Sequence, residues 1–307
     1  MRLVTFRPGE GGEPRLGAVA GTDVLDLSAA GLPKTMLGLL EAGPAAWDEA
    51  RSVVSRGKGP RSPSASVRLL APLPNPPALR DFFAFEEHAK AGAARRGEPI
   101  PAEWYELPAY YKGNHRQIHG PDDEIPWPSY TRRLDFECEV ACVVGLKGTD
   151  IPLQEAARHV FGYMVFNDFS ARDIQKKEML LRMGPAKGKD FANAFGPWLV
   201  TADEVDPARD LTMTVRVNGE VWSTGHFKDQ YWGFPLMLSH VSQAETVYPG
   251  DLLGSGTFHK GCGLDLDRWL KPGDVVELDV PALGVLRNRV GTPVAQRELD
   301  YRKAAAP

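Results

Sequence analysis

The sequence predicts an α+β fold that is mainly β: a mixed, largely antiparallel β-sandwich roll or barrel behind a small N-terminal α/β domain. Three observations predict it. Short apolar runs bounded by Gly, Pro, Asn and Asp recur along the chain, as in strands joined by tight turns. Few long helical patterns alternate with those runs, which argues against a doubly wound parallel sheet. The stretch Pro72-Leu73-Pro74-Asn75-Pro76-Pro77 holds four prolines in six residues and fits neither a helix nor a central strand.

The elements follow in chain order. Residues 2–6, 15–21 and 23–28 read as short strands broken by Gly and Pro, and residues 35–54 as a helical stretch. Residues 56–64 are polar and loop-like, and residues 67–72 read as one more strand. The proline-rich stretch places a domain boundary between residues 70 and 78, giving a small N-terminal domain at 1–72 and a larger one at 73–307. In the larger region, residues 135–145, 161–169 and 197–202 read as buried strands. Residues 211–225 read as a hairpin with Asn218-Gly219 at the turn, where both positions must tolerate positive φ. Residues 230–245 have helical spacing, residues 273–280 and 284–290 form a closing hairpin, and the ending 302–307 reads as a frayed tail.

Bulk properties exclude several classes of function. Lys plus Arg number 36 against 40 Asp plus Glu, a net charge of −4. That balance offers no basic excess for nucleic acid and no acidic block. No stretch has the length of a membrane-spanning helix, and the start lacks a long apolar run, so the expected location is the cytoplasm. The three cysteines, Cys138, Cys142 and Cys262, form no CxxC pair, which fits a reducing compartment and argues against a thiolate zinc site.

The most informative segment runs from Leu134 to Gly145. Strand side chains alternate between faces, so Glu137 and Glu139 point the same way. The run after them is apolar on both faces, as in a strand covered on both sides. Two carboxylates at the edge of such a core repel each other and lose hydration, and a hard divalent cation relieves both. A strand whose glutamates face water has the same pattern. A second apolar run ends in Asp168 and opens a polar turn, a position suited to a ligand, a catalytic group or a helix N-cap.

Taken together, Leu134-Asp135-Phe136-Glu137-Cys138-Glu139-Val140-Ala141 and Asn167-Asp168-Phe169-Ser170-Ala171-Arg172-Asp173-Ile174-Gln175 resemble the fumarylacetoacetate hydrolase superfamily. Gly188-Lys189-Asp190-Phe191, Gly196-Pro197-Trp198 and residues 250–257 continue the resemblance in the same order. It implies a fold of that superfamily and a divalent ion, Mg²⁺, Mn²⁺ or Ca²⁺, on Glu137, Glu139 and Asp168. It implies His88 as the base that activates water, with Asp265 as its orienting partner and Asp267 as a rival for that place. Lys189 and Gln175 match positions facing the developing oxyanion. Arg96, Tyr111 and Lys112 match substrate-facing positions, and Arg172, on the same side, supports the metal ligands.

The sequence departs from the pattern at one ligand. Fumarylacetoacetases carry a fourth aspartate before the histidine, where Ala84 aligns here with Glu86 and Glu87 nearby. Lys176 and Lys177 stand where those enzymes have a tyrosine, and His259 lies in an unusual loop. The resemblance therefore implies an enzyme acting on a small keto acid, expected as a homodimer. The leading reaction is hydrolysis of a carbon–carbon bond in a 1,3-diketone acid of the fumarylacetoacetate or acylpyruvate type. The alternatives are 2-oxo-pent-4-enoate hydration, oxaloacetate-type decarboxylation or tautomerisation, and, from another class, a non-catalytic binding protein on the same scaffold.

Overall fold

The computed structural model describes residues 1–9, 11–206, 209 and 211–295, so the tail at 302–307 lies outside the described residues. More of the described chain is strand than helix. A 12-stranded mixed sheet runs from an edge at Arg61–Pro63 through Asp23–Asp26, Arg15–Ala20 and Arg2–Pro8 to Asn193–Thr201. It continues through Val160–Asp168, Cys138–Val144 and Leu252–Gly254 to Leu79–Phe82 and Tyr110–Lys112. Its two end strands do not pair with each other among the described residues. The molecule is thus a roll and not a closed barrel, because short strands and the N-terminal hairpins occupy the ends. A 5-stranded sheet packs over it, with the two predicted hairpins, Thr212–Val217 with Glu220–His226 and Val275–Val280 with Gly284–Pro293. Asn218 and Gly219 sit at φ 52° and 80° in the first turn, as that turn requires.

The period of two is visible in the core. Val140, Cys142 and Val144 face the second sheet and pack with Val215, Leu278 and Val280. Ala141 and Val143 face the opposite side and pack with Leu39, Leu40 and Trp47 of the N-terminal region. The adjacent strand behaves alike, with Tyr163 and Val165 on one side and Met164 and Phe166 on the other. Both faces of these strands are therefore covered, as their continuous apolar runs predict.

The helical stretch at 35–54 is two helices, Met36–Ala42 and Pro44–Arg56. Gly43, at φ 77°, ends the first, and Pro44 opens the second where its missing N–H removes no bond. The strand Arg2–Pro8 pairs with Asn193–Thr201, so the N-terminal segment extends the large sheet. No helix among the described residues is long and apolar enough to cross a membrane.

Candidate active site with an acidic metal centre

Four carboxylates meet at the end of the large sheet. Asp81, Glu137, Glu139 and Asp168 each bring an oxygen within 4.8 Å of the others, and all four are buried. Register explains the convergence. Glu139 pairs with Phe166, Cys138 with Asn167, and Gly254 with Asp81 across the adjoining ladder. Glu139 shares the side-chain parity of Ala141 and Val143, Asp168 that of Met164 and Phe166, and Asp81 that of Leu79. All three point to the face that carries the N-terminal helices. Glu137 lies just before the strand Cys138–Val144, in an isolated bridge to Cys262, and keeps the same parity.

Asp81 escapes the sequence reading. Glu86 and Glu87, the acids near the aligned Ala84, pair instead with Lys90 on the outer side of the helix Glu86–Arg95. Tyr105 also donates to Glu86 at 2.6 Å. What admits Asp81 is a gap: a Cβ on Gly254 would stand 2.3 Å from Asp81 Oδ1. Gly256, at φ 75°, then donates its N–H to Glu139 Oε2 at 2.8 Å and to Asp81 Oδ1 at 3.2 Å. An acid between the apolar residues Leu79 and Phe82-Phe83 is the available signal.

Cations and donors surround the quartet. Lys189 Nζ, itself buried, donates to Glu137 Oε2 at 2.5 Å and to Asp168 Oδ2. Tyr111 donates to Asp168 Oδ2 at 2.7 Å. Arg172 donates to Glu137 Oε1 and Asp135 Oδ2, both at 2.7 Å, and to Gln175 Oε1 at 3.0 Å. Five buried carboxylates, counting Asp135, thus face two cations. Glu139 Oε1 and Asp168 Oδ1 are buried without a hydrogen-bond partner. An uncompensated, all-oxygen donor set with two orphaned acceptors fits a hard divalent ion.

The quartet's proton affinities diverge accordingly. Burial, and then the neighbouring acids, push Asp81 and Glu139 well above the usual carboxylate range. Burial also raises Asp168, to about 6, against the pull of Lys189. Burial opposes ionisation of Glu137 too, but Lys189, Arg172 and His88 outweigh it and hold Glu137 at about 2. A metal ion must displace the protons held by the raised acids. Affinity for Mn²⁺ is therefore expected to fall from pH 7 to pH 5, by about tenfold per unit for each proton displaced. Calorimetric titration across that range checks it, and a flat profile contradicts the assignment.

Beside the quartet stands an imidazole–carboxylate pair. His88, buried on the helix Glu86–Arg95, places Nδ1 2.8 Å from Asp265 Oδ2. Arg95, on the same helix, donates to Asp265 Oδ1, and the Lys260 N–H reaches Asp265 Oδ2 at 3.0 Å. Burial disfavours ionised Asp265, yet His88, Lys260 and Arg95 hold its carboxyl well below the ordinary range. The rival Asp267 is exposed, in the left-handed cap of the short helix Gly263–Leu266. Of the residues read as substrate-facing, Tyr111 and Arg172 enter the quartet's surroundings. Lys112 is exposed, and Arg96 turns to Glu98 Oε2 at 3.3 Å while its neighbour Arg95 reaches the pair. Burial and helix periodicity, which the sequence leaves open, separate Arg95 from Arg96.

An open β roll thus holds a buried carboxylate quartet beside a histidine–aspartate pair. Residues 78–291 match the family described as fumarylacetoacetate (FAA) hydrolase C-terminal, and the chain belongs to the fumarylacetoacetate hydrolase superfamily. Human oxaloacetate tautomerase FAHD2A, mitochondrial, is 34% identical over 297 residues, covering 94% of this chain and 91% of that protein. The fumarylacetoacetate hydrolase of psychrophilic Exiguobacterium antarcticum is 29% identical with a TM-score of 0.77, covering 95% and 99% of the two chains. Maleylpyruvate hydrolase from Sphingobium sp. SYK-6, in complex with manganese(II) and pyruvate, shares the fold at 23% identity and a TM-score of 0.75, covering 95% and 99%.

Proposed function

We propose that this chain is a divalent-metal-dependent enzyme that interconverts the keto and enol forms of a small 2-oxo dicarboxylic acid, an oxaloacetate-type tautomerase. The observation that carries the reading is the adjacency of the carboxylate quartet to the His88–Asp265 pair, linked by the Glu137–Cys262 bridge. The similarity to the human tautomerase over nearly the whole chain supports this choice over carbon–carbon hydrolysis.

Asp81, Glu137, Glu139 and Asp168 would hold Mg²⁺, Mn²⁺ or Ca²⁺. When bound, the ion supplies Lewis acidity that favours the enolate of a 2-oxo acid. His88, its Nδ1 tied to Asp265, has Nε2 left to take the proton from the carbon beside the carbonyl and to return it. Asp265, kept ionised by Arg95 and Lys260, orients the ring and stabilises its charged form. Lys189, Tyr111 and Gln175 direct donors toward negative charge on the substrate oxygens.

The test is purified protein with Mg²⁺ and oxaloacetate, following decay of the enol absorbance against buffer alone. The expected result is an acceleration that a chelator abolishes and that His88→Gln lowers by about 10²–10⁴-fold. Turnover confined to acylpyruvates or fumarylacetoacetate would overturn it. Cleavage of a carbon–carbon bond is the second reading, favoured by the water-activating form of the His88–Asp265 pair and by the hydrolase named for the Exiguobacterium relative.

The chain is also proposed to act as a homodimer. The exposed side chains of Met179, Leu180, Leu181 and Met183 support a contact between copies. Light scattering that reports only monomer would remove this part.

A further inference from the structure

A second group of metal-ligating side chains lies outside the quartet. A ring nitrogen of His88, the Cys262 thiol and a carboxylate oxygen of Asp265 lie within 4.8 Å of one another. Cys262 is fully buried and forms no disulfide. Its backbone bridges to Glu137, so the two groups are neighbours without sharing a ligand. They differ in kind. The quartet is four hard carboxylates, whereas this group offers a thiol, an imidazole and one carboxylate. Oxygen cages suit Mg²⁺ and Mn²⁺, while thiolate and imidazole select softer ions. Three protein ligands of this type with a fourth position left open match the coordination preference of zinc.

We propose that His88, Cys262 and Asp265 form an inhibitory site for a thiophilic divalent cation of the zinc class, separate from the hard-cation quartet. The inhibition rests on the reading of His88 as the base; the binding does not. The ion takes the place of the proton between His88 Nδ1 and Asp265 Oδ2, which stand 2.8 Å apart. That proton passes to Nε2, so the ring loses the lone pair it would use on substrate. The Cys262 thiol gives its proton to solvent on binding. Water, or His259 with Nδ1 3.5 Å from Asp265 Oδ2, completes the coordination. Arg95 keeps its bond to the other oxygen of Asp265, so the carboxylate stays moored. The chain is thus active with a hard cation and silenced by a soft one.

The experiment uses Mg²⁺-loaded full-length protein and two probes, Zn²⁺ and Co²⁺. Co²⁺ is expected to produce a thiolate-to-cobalt charge-transfer band in wild-type protein and in Cys138→Ser, and none in Cys262→Ser. Zn²⁺ is expected to inhibit oxaloacetate turnover without relief by excess Mg²⁺. Cys262→Ser should weaken that inhibition by about tenfold or more, each variant being compared with its own zinc-free rate. The cobalt band needs no turnover, so it decides the site even if the tautomerase reading fails. The wild-type spectrum needs no variant, so misfolding of Cys262→Ser cannot hide the answer. Absence of the band in wild-type protein, or its persistence in Cys262→Ser, overturns the site. Equal zinc inhibition in both proteins overturns the inhibitory role and points to displacement of Mg²⁺ from the quartet.

Discussion

Glu139→Gln is expected to abolish tight metal binding and most activity while making the metal-free protein more stable. Glu139 is fully buried and one of its oxygens has no partner, so in the absence of a cation its charge is opposed by Asp81, Asp168 and Glu137. The neutral amide keeps the bond from Gly256 N–H through its carbonyl and removes one member of the repelling set. Losing one of the proposed ligands should weaken Mn²⁺ binding by about 10² or more and lower the rate by about 10³, several kcal/mol of lost charge stabilisation. In chelator, the melting temperature should rise by about 2–4 °C, the gain commonly seen when a functional site is relaxed.

The pH dependence carries the sign. Asp81 and Glu139 have raised affinities for protons in the folded state. Their contribution to metal-free stability is therefore present at low pH and lost as pH rises through the folded-state values. The advantage of Glu139→Gln over wild type should widen toward high pH. Thermal melts in chelator between pH 5 and 8, with Mn²⁺ calorimetry at pH 7, check both halves. A variant that binds Mn²⁺ like wild type, or that melts lower in chelator at every pH, defeats the account.

Lys189→Met is expected to have the opposite effect on stability. The ammonium is buried and bonded to Glu137 and Asp168, and its charge is held on by those acids against the penalty of burial. Removing it leaves two buried carboxylates with one fewer cation. Breaking a buried pair from one side costs about 3–5 kcal/mol. The loss should be largest in chelator and smaller at saturating Mg²⁺, because the bound ion supplies the missing charge. On the proposed role of Lys189 as a donor to the substrate oxygens, turnover should also fall by about 10²–10³. Denaturant unfolding with and without Mg²⁺ separates these effects. Equal destabilisation in both conditions would mean that Lys189 is only a packing residue.

The carboxylate quartet was partly legible along the chain. Glu137 and Glu139 are two residues apart beside a run that is apolar on both faces. Alternation therefore puts them on one side of a buried strand before any fold is known. Asp168 was legible because it closes a second apolar run. The turn at Asn218-Gly219 and the hairpins around it follow from local backbone preferences in the same way.

Asp81, Arg95 and Cys262 were not legible, and the reason is long-range pairing. Asp81 reaches the quartet only because Leu252–Gly254 lies between its own strand and Cys138–Val144, with Gly254 leaving room for its carboxylate. Helical spacing alone makes Glu86 and Glu87 look as well placed as any ligand, but burial turns that side of the helix to water and His88 inward. Arg95 and Arg96 are adjacent and identical in chemistry, and only the docking of their helix against residues 260–265 sends one to Asp265 and the other to Glu98. Local order, alternation and turn chemistry are written in short stretches of sequence and determined which acids could act. Which of them meet was decided by strand register across contacts more than a hundred residues apart, energies that no local pattern encodes.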